Sequence, residues 1–296
     1  MTKLKLLVVI LILFPSFCHA WNYDLNFESG QITGQADSWS SIDNVHGGQT
    51  IIDSTKANTG THSSKSILSA GSGELDLRKT INTLSQGQSI WIRVYLTHEP
   101  GFNWGPYNSG SSIRKGIRLG SPIGGDQIGP RSGNIEITTE DKVGTSQTRY
   151  NTGFPLSQFT VTDRWLSWEV ACTNIGTADE RYYAWFDGVN YLNVSNQHNT
   201  AAISSINFFD NFNDYMNAGT LYIDDVYITN ETPAKQDVQG NYMIGPISCE
   251  NGRINGACYC NGQIFNTGYC CNGIYQQNVC GIDITPPAAP SGLTIN

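Results

Sequence analysis

The sequence predicts an all-β protein: a two-sheet jelly-roll sandwich followed by a small disulfide-rich module. Three observations predict it. Apolar and polar residues alternate with period two in one segment after another, as in strands with two unlike faces. These segments are short, separated by Gly, Asn and Ser, and no window sustains helical periodicity. Six of the eight cysteines crowd into residues 249–280.

Residues 1–20 read as a secretory signal peptide. Lys3 and Lys5 precede an apolar run from Leu6 to Phe14, Pro15 breaks it, and Ala20 suits the position before a cut at Trp21. The rival is a lipoprotein signal at Cys18, which the bulk of Phe17 disfavours. No other stretch is long and apolar enough for a membrane span. The expected location is extracellular or periplasmic. Removing the signal takes two lysines from 17 basic residues, leaving 15 against 25 acidic ones, a net charge of −10. Such an acidic chain is a poor partner for nucleic acid.

The first unit, 21–229, opens with short β runs around Trp39, punctuated by turn signals at Asn58-Thr59-Gly60 and Ala70-Gly71. Residues 88–98 form the cleanest strand. Ile90, Ile92, Val94 and Leu96 make one face; Trp91, Arg93, Tyr95 and Thr97 make the other, and His98 ends it. A long loop follows with Phe102, Trp104 and Tyr107, a candidate binding edge of exposed aromatics. Two strands are expected at 113–119 and 134–139. Arg114 and Arg118 face outward on the first, Asn134, Glu136 and Thr138 on the second, with a turn-rich link between.

The central hairpin, Asp163 to Asn193, is the most informative stretch. Leu166, Trp168, Val170 and Cys172 point to the core, as do Tyr182, Ala184 and Phe186. The opposite face carries Trp165, Glu169, Arg181, Tyr183 and Trp185, flat rings mixed with charges. Residues 201–212 and 219–229 supply the last two strands. Cys172 reads as a small buried hydrophobe.

Residues 230–245 look like a polar linker. The module at 246–281 repeats a Cys-(Glu)-Asn-Gly phrase with period 11 at Cys249, Cys260 and Cys271. Asn-Gly is a hairpin-turn signal. Three hairpins stapled by disulfides among Cys249, Cys258, Cys260, Cys270, Cys271 and Cys280 would explain it. A unit this small needs cross-links. Six cysteines allow fifteen pairings and the sequence chooses none. Zinc is disfavoured by the absence of His and by export. The Pro-rich tail, 282–296, resembles the entry to a fibronectin type III domain.

Three phrases carry a wider resemblance: Asn26–Gly30 (NFESG), Asn58–Ser66 (NTGTHSSKS) and Gly219–Ile228 (GTLYIDDVYI). With Trp165–Glu169 and Trp185–Gly188, they make 21–229 resemble the concanavalin A-like jelly-roll superfamily of carbohydrate-binding modules, lectins, glucanases and polysaccharide lyases. The resemblance implies a structural calcium pinning the first strand to the last. Its ligands would be Glu28 and one of Asp224 or Asp225, with backbone carbonyls around Gly60 to Ser63. The chemistry agrees, since calcium takes six to eight oxygens and adjacent carboxylates repel without a cation or donor.

The expected function is recognition of polysaccharide. Trp91, Tyr95, Trp165, Tyr183 and Trp185 would stack on sugar rings, with Arg93, Arg118, Glu136 and Glu169 making polar contacts. A lyase acting on a uronic-acid glycan by β-elimination is the alternative, with Arg93, Tyr95, Arg118 and His98 as its candidates. A retaining glycoside hydrolase needs two close carboxyls; the glucanase Glu-x-Asp-x-(x)-Glu phrase is absent after Glu169, leaving only a cross-strand pair of Glu136 and Glu169. A structural or adhesive surface protein is the third reading, with rings buried on an unoccupied sheet face as its sign.

Overall fold

The computed structural model describes residues 20–43, 48–68, 75–104, 115–120, 126–131, 133–140, 147–195, 202–210, 219–237 and 239–245, and the backbone of five short strands between 253 and 276. The expected signal peptide up to His19, Tyr107 of the expected binding edge, Arg114, the tail and the side chains of the six clustered cysteines lie outside the described residues.

Two antiparallel sheets form a sandwich. The first runs in the order β13 (Val189–Ser195), β12 (Arg181–Phe186), β11 (Leu166–Thr173), β6 (Ile90–His98), β15 (Gly219–Thr229), β4 (Ser63–Leu68) and β3 (Gln49–Asp53), with β1 (Asn22–Leu25) also on β15. The second runs β10 (Gln147–Pro155), β9 (Asn134–Glu140), β8 (Asp126–Arg131), β7 (Lys115–Leu119), β14 (Ile203–Asp210), β5 (Asp76–Leu84) and β2 (Ser41–Asp43).

Period two does what the sequence requires. Ile92, Val94 and Leu96 of β6 and Leu166, Trp168, Val170 and Cys172 of β11 are buried in one core with Ile117, Ile128, Ile137, Ile206 and Phe208 of the second sheet. Burying each such side chain contributes about 1.5–3 kcal/mol before entropy is counted. Cys172 is fully buried, and burial pushes its thiol pKa well up.

Four expectations change. The turn-rich link contains β8, where Gly129 and Pro130 leave Ile128 alone to show the apolar pattern. β10 adds an outer strand whose inward positions Tyr150, Thr152 and Phe154 are half polar, which hid the alternation. A single helical turn spans Leu156–Phe159. Phe102 and Trp104 are buried, not a binding edge: they pack on the His98 ring with centroids 4.4 and 5.5 Å away.

Past the sandwich, the backbone pairs Arg253–Ile254, Ala257–Cys260 and Gln263–Phe265 in one small ladder, and Tyr269–Cys271 with Ile274–Gln276 in another.

Candidate functional site

Each sheet has an outer face, and sequence register says what each carries. On the first sheet, Glu169 lies opposite Trp185 on one side and Arg93 on the other; Arg93 lies opposite Tyr227. One row along, Tyr183, Ala171 and Trp91 align. The structure therefore brings Trp91, Arg93, Glu169, Tyr183 and Trp185 onto one face, with Tyr95 beside them under the Arg93 guanidinium at 5.2 Å. Trp165 stands just before β11, half-buried and outside the ring cluster. Small Ala171 lets Trp91 and Tyr183 approach across it to 6.4 Å, and Tyr183 and Trp185 stack at 5.4 Å.

This face is not open. Trp91 and Trp185 are 1 % exposed and Glu169 is fully buried. The cover is the stretch expected to be a linker. Ile244 joins Trp91, Ala171 and Trp185 in a second apolar cluster, with Tyr242 packed against it. Arg93 Nη1 donates to the Ile244 carbonyl at 2.7 Å, and Trp185 Nε1 donates to Asn241 Oδ1 at 3.3 Å. Asn241 Nδ2 donates to the Gly188 carbonyl, which ties the strap to the β12–β13 turn. Tyr242, Met243 and Ile244 are apolar enough to desolvate rings that would otherwise form an exposed patch. Beside the strap, Tyr227, Thr229, Glu231, Lys235, Met243 and Gly245 line a cavity of about 380 Å³.

The second sheet carries a polar row. Ser41, Arg78, Asn207, Arg118, Gln127, Thr138 and Arg149 are opposite one another in unbroken succession from β2 to β10. Their neighbours Leu77, Phe208, Ile117, Ile128 and Ile137 occupy the core, so alternation turns Arg78, Asn207, Arg118, Thr138 and Arg149 outward. At about 4.8 Å per strand, Arg78 and Arg118 stand about 10 Å apart along it. Asp76 Oδ2 accepts from both Arg78 Nη2 and Asn207 Nδ2, each at 3.2 Å, and fixes that end. At the other end Arg131 Nε lies 3.6 Å from Glu136 Oε2. Burial, and then the neighbouring Arg149, push the Arg131 pKa down against the pull of Glu136. The centre is sunk, with Arg118 5 % and Asn207 6 % exposed, while Arg78 and Arg149 are open.

The lyase quartet is thus divided. Arg93 and Tyr95 lie on the outer face of the first sheet and Arg118 on that of the second. His98 shares the inward parity of Leu96 and sits in the core, where burial drives its pKa down to about 3 although Nδ1 faces the Val161 carbonyl at 3.1 Å. Glu136 and Glu169 are likewise on opposite outer faces, so they form no hydrolase pair. The sequence reading missed Arg78, Asn207, Arg131 and Arg149. A hint was available for the three arginines: they are cations in a chain short of them.

The carboxylates expected to hold calcium sit where the edge of β15 passes from β4 to β1. A bulge inserts one residue there, and Asp225 takes φ 46°, a conformation Asp tolerates. Asp224 Oδ2 accepts from Asn58 N at 2.7 Å; Asp225 accepts from Asn58 Nδ2 at 2.7 Å and Thr59 Oγ1 at 2.8 Å. Burial, then the like charge of Asp225, push the Asp224 carboxyl up to about 8. Glu28 makes a separate knot, accepting from Thr61 N, Thr61 Oγ1 and His62 N, all at 2.8 Å. Gly60, at φ 65°, lets Glu28 approach: a Cβ there would meet Oε1. Among the described residues no three acidic or His side chains gather closely enough to hold a metal by themselves. Asn58 and Thr59 oxygens would have to complete a site at the Asp pair.

No protein-family model and no curated protein matches the chain. Among solved structures it is similar to a cellulose-induced protein (17 % identity, TM-score 0.49, covering 70 % of this chain and 97 % of that one). It is also similar to an endo-β-1,4-glucuronan lyase from the fungus Trichoderma reesei (10 %, TM-score 0.47, 71 % and 95 %). A third is domain 4 of an extracellular arabinanase from Geobacillus stearothermophilus, in complex with arabinotriose (14 %, TM-score 0.46, 76 % and 95 %). At these values none of them bears on what this chain binds. Among the described residues no helix is long and apolar enough to cross a membrane.

Proposed function

We propose that this protein binds an acidic polysaccharide along the outer face of its second sheet. The observation that carries the reading is the cross-strand row itself: arginines at Arg78, Arg118 and Arg149, with Arg131 alongside, on one face of a chain whose net charge is −8. Arg presents a rigid fork suited to carboxylates. Asp76 and Glu136 hold the guanidinium groups at each end, so less rotamer freedom is lost on binding. The face lacks aromatic side chains among the described residues, which favours ionic recognition over ring stacking. Export through residues 1–20 would place the protein where such glycans are.

The test is affinity for polyuronates against neutral glucans, with Arg118→Ala beside the native chain. Binding to polyuronate that the substitution weakens supports the reading; equal affinity for neutral glycans, or indifference to Arg118, overturns it. β-Elimination is the second reading, favoured by Asn207 and Arg118 lying opposite each other, since such groups neutralise a uronate carboxylate. Release of ultraviolet-absorbing unsaturated uronide on incubation would decide for it. The buried Trp91 and Trp185 favour the structural or adhesive role as a third reading, and silence toward every glycan would decide for it.

We also propose a structural calcium at Asp224 and Asp225, with Asn58 and Thr59 as neutral oxygen donors. A buried pair of like charges suits a hard cation, which would have to turn aside the Asn58 and Thr59 donors that satisfy the pair here. A melting temperature raised by calcium and lowered by chelator supports it; a melt blind to both removes it.

A further inference from the structure

We propose that the aromatic outer face of the first sheet is a second saccharide-binding surface, for a neutral polysaccharide, and that Asn241–Gly245 is a strap that masks it. This stands apart from the arginine row on the other sheet and does not depend on it.

Three features support an exchangeable cover rather than a permanent core. First, the strap's polar contacts are the ones a glycan would make. The Ile244 carbonyl and the Asn241 side-chain oxygen accept from Arg93 and from Trp185 Nε1, as sugar hydroxyl and ring oxygens do. Second, the fit is incomplete. Trp91 Nε1 is buried under the strap with no hydrogen-bond partner among the described residues. Trp168 Nε1 and Tyr182 Oη are also unpartnered, but they lie deep between the sheets; Trp91 Nε1 lies in the cluster with Ile244 of the strap, where a ligand oxygen would supply the acceptor. Third, the strap is bounded by Gly240 and Gly245, both at φ 81°, beside the cavity of about 380 Å³ that gives it room to move.

The ligand class follows from the face. Trp91, Tyr183 and Trp185 are nearly parallel, with interplanar angles of 20°, 25° and 6°, and offer apolar ring surface to pyranose rings. Arg93 lies opposite Glu169, so the opposed charges balance and select no charged sugar.

Gly245→Ala tests it. An added Cβ would lie 2.7 Å from the Tyr227 ring, at a φ that L residues rarely adopt, and should drive the strap off. We expect acrylamide quenching of Trp fluorescence to rise, and affinity for neutral hexasaccharides of glucose, xylose or mannose to increase about tenfold as the competent state becomes populated. Polyuronate binding should stay unchanged. Rings exposed without neutral binding overturn the proposal, as does native protein that binds as tightly as the variant. Rings that stay shielded in Gly245→Ala and in an Asn241→Ala, Ile244→Ser double variant also overturn it. Should the variants not fold, hydrogen exchange on native protein decides. The Met243 amide, bonded to the Lys235 carbonyl at 3.1 Å, should exchange faster with a neutral hexasaccharide present; unchanged exchange overturns the proposal.

Discussion

The two outer faces of this sandwich are built from the same element, an antiparallel strand with period-two alternation, and they end as opposites. The first face gathers Trp91, Tyr183 and Trp185 and is closed by the chain's own residues 241–245. The second gathers Arg78, Arg118 and Arg149 and leaves both ends open. The difference follows from hydration. Rings left in water cost free energy that a short apolar strap recovers, whereas the guanidinium groups at the ends of the row, Arg78 and Arg149, keep their solvation and cost more to cover than to leave exposed, although Arg118 between them is sunk. An aromatic face is therefore at risk of being covered from within, and a charged face is available to a partner.

The comparison can be broken most decisively through the rings. Trp185→Ala should cost about 3–5 kcal/mol of stability in denaturant melts, because it opens a cavity under the strap, and should leave polyuronate affinity alone. A loss of polyuronate binding in a folded Trp185→Ala protein would mean that the two faces are not independent. Arg118→Ala should do the reverse. Losing charge-assisted hydrogen bonds should weaken polyuronate binding by about 1.5–3 kcal/mol in calorimetry, with a smaller effect on the melt.

Acid should reach neither face first but the core between them. His98 has a folded pKa of about 3 against an ordinary 6.5, so it stays neutral in the fold while the unfolded chain takes up a proton. Its contribution is therefore fully present above pH 6.5 and declines as pH falls toward 3. The slope is about 1.4 kcal/mol per pH unit at most. Denaturant melts from pH 7 to 4 check this, and His98→Phe should flatten the dependence. Salt should give the smallest effect. Raising ionic strength from about 0.1 to 1 M shortens the screening length from about 10 to 3 Å. Polyuronate affinity should drop several-fold in the same calorimetric titration, while the fluorescence of the strapped rings stays constant.

Much of the fold was legible because alternation is a local property. The strand at 219–229 is observed with those bounds, and the inward and outward residues of 88–98 and 134–139 fall where period two puts them, His98 aside as the strand's unassigned end. β8 and β10 were not legible. A strand in the middle of a sheet can be held by its neighbours with a single Ile, and an outer strand can face the core with Thr152 as well as Phe154. The site divides in the same way. That Trp91, Arg93, Glu169, Tyr183 and Trp185 share a face was readable, because strand parity alone decides it.

By itself, then, the sequence determined an all-β sandwich, the facing of residues in the strands whose alternation is clear, and the company of rings and charges on the first sheet. The tertiary structure decided which face is open. Residues 241–245 reach Trp91 and Trp185 only once β15 has brought the chain back beside β6. Arg78, Asn207, Arg118 and Arg149 become a row only when β5, β14, β7 and β10 take their places in one sheet, an order unlike their order along the chain. Periodicity fixes which way a side chain points; what stands in front of it depends on contacts between distant segments, and no local pattern encodes those.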